Sequence, residues 1–427
     1  MNQTRRELLK TATMAVASMA VGPTIIRRTA LAQDGRPGAN DRILVGFVGV
    51  GGRARQLMEH IPPEQGKIVA IADFWGDKIK SCIDEKKASG LIKDGESWNV
   101  YSSDVEMYEK EKLDCVFVAT QDFSRTLPSC RAVLAGLDVY AEKPLTAYIA
   151  EGRHLVNLVR KMNRVFQVGS QQRSMQLNEY GCQLVREGKL GKVKVVQGCN
   201  YPGPRAIPEN LRAEPVPATL NWDAWQGPTK YREFNYSLLG WMQWWDYSGG
   251  QMTNWGAHGL DQIQWAAGAS ETGPVALGPH PDGGGKVIFR YANGMEVRLE
   301  LENNKGPLGG AIFRCEEGNL EVNRNHLKAN PKDLIADAPD PDPPEGPTWI
   351  ARPHILNFFD CMRTRKRPNA DVEIGHRSAS LCHLANITRE LNRPLQWNPD
   401  RGQFVGDDEA NAKVARPRRQ GYELPEA

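Results

Sequence analysis

Residues 42–54 read RILVGFVGVGGRA. From Ile43 to Val48 the chain is apolar and rich in β-branched residues, as expected of a parallel strand covered on both faces. It runs into Gly49-Val50-Gly51-Gly52-Arg53-Ala54, which matches G-x-G-x-x-A, and RARQLMEHI then continues at helical spacing. In such a turn Gly49 permits the sharp bend and Gly51 lets backbone N–H groups approach a pyrophosphate. The small Ala54 lets the helix pack on the strand. The helix end at Gly52 and Arg53 then faces the phosphates.

A glycine loop alone is weak evidence; an acidic residue closing the next strand about 20 residues later strengthens it. KIVAIAD supplies that residue as Asp73, 24 positions after Gly49. A carboxylate there accepts hydrogen bonds from the adenosine ribose and repels a 2′-phosphate, so NAD is favoured over NADP. The competing reading is an aspartate that merely begins a turn. Residues 113–120 (LDCVFVAT) form a further buried strand, 127–135 a helix, and 138–141 a short strand leading into Glu142-Lys143-Pro144. This alternation is that of a doubly wound parallel sheet. Thr120 and Glu142 fall at carboxyl ends of strands, where open α/β sheets bind ligands.

The second half changes character. KVIFRYANGMEVRLELE alternates apolar and polar residues around Asn293-Gly294, a two-residue hairpin signal, and FRCEEGNLEVNR repeats the pattern with a turn near Gly318. The proline- and aspartate-rich 336–347 reads as a surface loop. GVGGRA, the Asp73 strand end, AEKPLT and GGQMTNWGAHGLD occur in one order and together resemble the glucose-fructose oxidoreductase, inositol dehydrogenase and rhizopine catabolism (Gfo/Idh/MocA) family over residues 42–397. The resemblance implies an α/β protein: an N-terminal Rossmann dinucleotide-binding domain, 42–165, and a substrate-binding α/β domain with an open, mainly antiparallel sheet, 166–397. A tail of 398–427 follows. The resemblance further implies a homo-oligomer built through that C-terminal sheet.

Oxidising an alcohol requires a base for the hydroxyl proton and a group that stabilises the alkoxide. By the resemblance, Lys143 of the E-K-P motif is catalytic, and Glu142 contacts the ribose on the nicotinamide side. Helical spacing places Asn254, His258 and Asp261 on one face. The family pattern there is D-x-x-x-H, so His258 maps onto the proton-transferring position, while Asn254 stands where acid is usual. Asn254 can position a hydroxyl or orient His258, but it cannot take a proton. The working assignment is His258 as base, Lys143 as alkoxide stabiliser and Asn254 as positioning group; the competing reading of His258 is a satisfied core histidine. Arg173, Trp255 and Asp261 are expected at the substrate, with Gln171 beside them, although Gln171 and Arg173 equally suit a solvated domain junction. No H-x-x-x-H or H-E-x-x-H pair suggests a metal.

Tryptophans 222, 225, 241, 244, 245, 255 and 265 crowd one region. Sugar-stacking platforms and a large aromatic core both explain them. QDFSRT follows Thr120 where relatives often carry a proline and histidines, so the substrates of relatives do not transfer. The expected partner is a neutral sugar or polyol.

The chain opens with Arg5-Arg6, an apolar run and Ala30-Leu31-Ala32. This pattern is that of a twin-arginine export signal, 1–32, cut before Gln33 and followed by a linker, 33–41. The apolar run from Thr11 to Ile26 is shorter than the roughly 20 residues of a bilayer span, so no membrane attachment is expected after cleavage. The leader holds Arg5, Arg6, Lys10, Arg27 and Arg28 against Glu7 alone, so the formal charge of +3 turns slightly negative without it. No basic stripe for nucleic acid remains. The eight cysteines contain no C-x-x-C pair and are expected to be free and structural. In the periplasm an exported dehydrogenase meets no soluble NAD pool, so the cofactor would be loaded before export and recycled in place. Three functions fit: sugar oxidoreduction, glycoside cleavage by transient oxidation, and sugar binding without catalysis.

Overall fold

The computed structural model describes residues 42–302, 305–341 and 351–427. The leader, the linker and the later part of the 336–347 loop lie outside them. Strands β1 (Ile43–Val48), β2 (Gly66–Ala72), β3 (Asn99–Tyr101), β4 (Cys115–Val118), β5 (Asp138–Ala141) and β6 (Phe166–Val168) form one sheet in the order β3-β2-β1-β4-β5-β6. Every pairing is parallel. β1, β4 and β5 are buried almost throughout, as their apolar runs require when helices cover both faces.

Two features extend this domain beyond the expected boundary at 165. Strand β6 pairs Phe166 with Val139 and Val168 with Ala141, so the sheet ends at Val168. The helix Arg352–Thr364 also returns from late in the chain and sets Phe358 edge-on against Phe117 and Tyr140, whose rings lie 5.9 and 6.0 Å from it. Phe117 stacks in turn on Phe47 and Tyr140. Burial of each such ring contributes about 2 kcal/mol.

The second sheet contains β7 (Val193–Cys199), β8 (Ala276–Pro279), β9 (Val287–Arg290), β10 (Glu296–Leu301), β11 (Ala311–Cys315), β12 (Asn319–Asn323), β13 (His326–Asn330), β14 (Leu395–Asn398) and β15 (Gln403–Phe404). Its order is β13-β12-β11-β7-β10-β9-β8-β14-β15, and only β7 and β10 run parallel. Both expected hairpins form: β9 pairs with β10 around Gly294, and β11 with β12 before Gly318 closes the turn. Alternation sends Val196, Val297, Leu299 and Phe313 into the core, while Gln197, Arg298, Glu300 and Arg314 lie on the opposite face.

Residues 398–427 are docked rather than trailing. Arg416 and Arg418 reach the buried Glu151 on the helix Ile149–Lys161, and Arg416 also donates to the Phe123 carbonyl at 2.7 Å. A buried carboxylate requires such partners, and they come from the chain end. All eight cysteines are buried and free. Among the described residues no helix is long and apolar enough to cross a membrane.

Candidate active site

The carboxyl ends of β1, β2, β4 and β5 open into one cleft of about 590 Å³. Gly49 sits at its floor with φ +83°, and a Cβ there would lie 2.9 Å from the Ala119 carbonyl oxygen, so both conformation and space demand glycine. At Gly51 and Gly52 a Cβ would meet nothing within 4 Å, which leaves open space over the loop. The helix Gly52–His60 begins without a side-chain cap or an acid in its first turn. Its end is thus left for an anionic ligand. Ala54 is fully buried, serving the helix–strand contact. Asp73 lines the cleft and is held by N–H groups: Val50 donates to Oδ2 at 2.9 Å and Trp75 to Oδ1 at 3.0 Å. Burial raises its carboxyl pKa against the pull of those donors. These groups suit the pyrophosphate and adenosine ribose of NAD.

Deeper in, Arg53 Nε donates to Glu142 Oε1 at 2.8 Å. Burial pushes the Glu142 carboxyl up, yet Arg53 and Lys143 outweigh it and leave it lowered. The Lys143–Pro144 peptide is cis. Arg125 braces this loop by donating to the Pro144 and Thr120 carbonyls at 2.8 and 2.5 Å. Its neighbour Asp122 accepts from Ser248 Oγ at 2.8 Å, and that oxygen accepts the Gly250 N–H at 3.1 Å. The two domains are thereby tied together beside the cleft. Lys143 Nζ crosses the same seam and donates to Asn254 Oδ1 at 2.8 Å and to the Asn254 carbonyl at 3.2 Å. Burial lowers the Lys143 ammonium to a pKa of about 8 despite Glu142 and Asp122.

His258 also lines the cleft, on a helix that is broken rather than continuous. One helix covers Gln251–Asn254 and the next Gly256–Ala266. His258 is 5% exposed, and its imidazole hydrogen-bonds no group among the described residues. His354, a structural histidine, instead has both ring nitrogens engaged, at 2.7 and 2.8 Å. Burial, then Arg324, Lys143 and Arg53, hold His258 well below the usual histidine range. It is therefore neutral at physiological pH.

The structure brings Gly49, Gly51, Gly52, Arg53, Asp73, Thr120, Glu142, Lys143, Gln171, Asn254, Trp255 and His258 to one cleft. It does not bring Arg173 or Asp261 there. Arg173 Nε donates to both Asp261 oxygens, at 2.9 and 2.8 Å, and Ser378 Oγ donates to the same carboxylate at 2.7 Å. With 3% and 1% side-chain exposure, the pair neutralises itself in the interior, and its expected substrate role is corrected to a structural one. Asp261→Asn leaves Arg173 without its counter-charge and is expected to destabilise the fold by about 3–5 kcal/mol. Denaturant unfolding checks this; weakened sugar binding with unchanged stability would contradict it.

Other cleft residues carry no motif. Arg324 enters from the turn after β12, and Gln171, 4% exposed, has an Oε1 without a hydrogen-bond partner among the described residues. Asp122 and Arg125 offered one signal, an acid and an arginine three apart after a strand end. The tryptophans divide: Trp222 and Trp244 belong to an aromatic core, Trp225 serves both that core and the cleft, and Trp241 and Trp255 line the cleft. Among the described residues no cluster of three metal-ligating side chains occurs.

Residues 43–170 match the oxidoreductase family, NAD-binding Rossmann fold, of Gfo/Idh/MocA proteins, and residues 183–424 match that family's C-terminal alpha/beta domain. The chain belongs to this oxidoreductase family. Within the Gfo/Idh/MocA fold it is similar to the WlbA dehydrogenase of Chromobacterium violaceum, solved with NADH and UDP-GlcNAcA, at TM-score 0.61 and 18% identity over 85% of this chain and 98% of that one. It is also similar to the scyllo-inositol dehydrogenase of Lactobacillus casei, solved with NAD(H) and scyllo-inositol, at TM-score 0.55 and 16% identity over 83% of this chain and 99% of that one. The aldose-aldose oxidoreductase of Caulobacter crescentus gives TM-score 0.53 and 15% identity over 83% and 100%. Among curated sequences, an uncharacterized oxidoreductase of Streptococcus pneumoniae is 24% identical over 148 residues, 35% of this chain; the match spans 37% of that relative.

Proposed function

We propose that the protein is an NAD-dependent oxidoreductase that moves hydride between the nicotinamide and a CH–OH group of a sugar, polyol or glycoside. The observation that carries this reading is the meeting of Lys143 and His258, from different domains, in the cleft that contains the glycine loop and Asp73. The chemistry that NAD supplies when bound is acceptance of a hydride from carbon. Asp73 holds the ribose and disfavours NADP. His258, neutral and without a hydrogen-bond partner among the described residues, accepts the hydroxyl proton, while the Lys143 ammonium stabilises the developing alkoxide. Asn254 fixes Nζ through two acceptors. Trp241 and Trp255 supply faces for sugar C–H surfaces. Adding sugars and glycosides to purified protein, without added cofactor, should raise its near-ultraviolet nicotinamide absorbance. A protein loaded with NAD that stays silent across the panel and transforms none of its members contradicts the reading.

Asn254 sets the pH range. A carboxylate 2.8 Å from Nζ would favour the charged lysine, so Asn254→Asp should raise the Lys143 pKa above about 8. The alkaline limb of kcat/KM should move to higher pH. A limb that stays in place would remove Lys143 as its origin.

A second reading, glycoside cleavage by transient oxidation, has its own support. A hollow of about 480 Å³, lined by Pro202, Arg205 and Gln243, shares Leu239, Trp241 and Met242 with the main cleft and offers room for a second sugar unit. Cleavage of a glycoside with no net cofactor change would distinguish it. For the cell, we propose twin-arginine export to the periplasm with NAD already bound, which a retained, self-recycling cofactor makes useful. The polar outer face of the second sheet, with Gln197, Arg298, Glu300 and Arg314, is the proposed homo-oligomer surface.

A further inference from the structure

We propose that the substrate is a sugar acid whose carboxylate is received by Arg324, an inference that rests on the oxidoreductase reading of the same cleft. The arginines of the cleft differ in one respect. Arg53 is paired with Glu142 at 2.8 Å and Arg125 with Asp122 at 3.4 Å. Arg324 has no carboxylate within ion-pair distance among the described residues. Its only side-chain hydrogen bond there runs from Nε to Gln172 Oε1, at 3.2 Å, and its guanidinium lies over the Trp255 ring at 4.8 Å.

That placement is built. Gln172 is 1% exposed and pinned by donating to the Gly309 carbonyl at 2.7 Å. Trp255, beneath the guanidinium, is a neighbour of His258, with ring centroids 6.0 Å apart. A planar fork held from below and from one edge keeps its Nη groups for a ligand, and a carboxylate accepts such a fork through two parallel hydrogen bonds. The charge balance points the same way. Arg53, Lys143 and Arg324 converge on the catalytic end, where Glu142 is already paired. Burial and Arg53 lower the Arg324 pKa to about 10, so it stays cationic at neutral pH. An anionic substituent would relieve this excess and ease protonation of His258, whose basicity the same cations suppress.

The test measures equilibrium binding to the NAD-loaded protein by calorimetry, using matched pairs: D-glucuronate with D-glucose, D-galacturonate with D-galactose, and each acid with its neutral methyl ester. Wild type should bind at least one acid about 10- to 100-fold more tightly than its neutral partners, the range of a hydrogen-bonded charged pair. Arg324→Gln should abolish that preference while retaining cofactor and the wild-type unfolding midpoint. Equal affinity or no binding across all pairs would overturn the proposal, as would a preference that persists in Arg324→Gln. Tighter binding of glucose 6-phosphate than of either acid would overturn the carboxylate assignment. Loss of cofactor instead of acid preference would reassign Arg324 to the cofactor. If discrimination appears while no sugar acid changes nicotinamide absorbance or is otherwise transformed, the anion site stands and the hydride-transfer reading falls.

Discussion

Lys143→Met is expected to lower sugar-dependent turnover by about 10²–10³-fold or more while NAD remains bound. Methionine keeps an unbranched chain in the half-buried slot between Glu142 and Pro144 but removes the ammonium that would face an alkoxide. The glycine loop and Asp73, which would hold the cofactor, lie elsewhere and make no hydrogen bond to Nζ. Stopped-flow reduction of the bound nicotinamide, with the cofactor quantified after denaturation, measures both parts. Full activity in the variant would remove Lys143 from the chemistry. Wild type should carry a matching pH signature. Because the Lys143 pKa is lowered to about 8, the charged form predominates below that pH and is lost above it, so kcat/KM should fall as pH rises through about 8.

His258→Asn should cost about 10²–10⁴-fold in turnover, the usual range for a removed general base. The asparagine retains a polar group at the same depth but cannot accept the proton. Since His258 makes no side-chain hydrogen bond among the described residues, folding should change far less than in Asp261→Asn. Parallel measurement of kcat and the unfolding midpoint separates the roles. A variant that keeps kcat and loses stability would restore the reading of His258 as a core histidine. Because burial and nearby cations depress its pKa well below 6.5, free wild-type enzyme should show no acid limb near that value.

Much of the cleft was legible because its signals are local. Gly49, Gly51, Ala54 and Asp73 sit at spacings that one strand–turn–helix–strand unit imposes, and β5 follows its expected limits at 138–141. The two hairpins were legible from period-two alternation and Asn293-Gly294. Arg173 and Asp261 were misplaced because spacing reports a helix face and not depth. Asp261 lies nearly one turn beyond His258, and its partner is 88 positions away in the chain. Arg324 left no local trace, since it projects from a hairpin turn and gains meaning only from Trp255 and Gln172. The same holds for the docking of 398–427, where Glu151 takes Arg416 and Arg418 from the far end of the chain. Only the tertiary fold decides which tryptophans enter the aromatic core and which face the cleft.

The most direct test of hydride transfer at this seam is isotopic. The NAD-loaded protein is mixed with sugars and sugar acids deuterated at every carbon-bound position, quenched within a single turnover, and its cofactor weighed by mass spectrometry. One deuterium from an active substrate should appear in the reduced nicotinamide, and Lys143→Met should accumulate none on the same timescale. This outcome is expected both for net oxidation and for transient oxidation, since quenching captures the hydride before it returns. A substrate transformed by the protein with no deuterium reaching the cofactor would contradict the account.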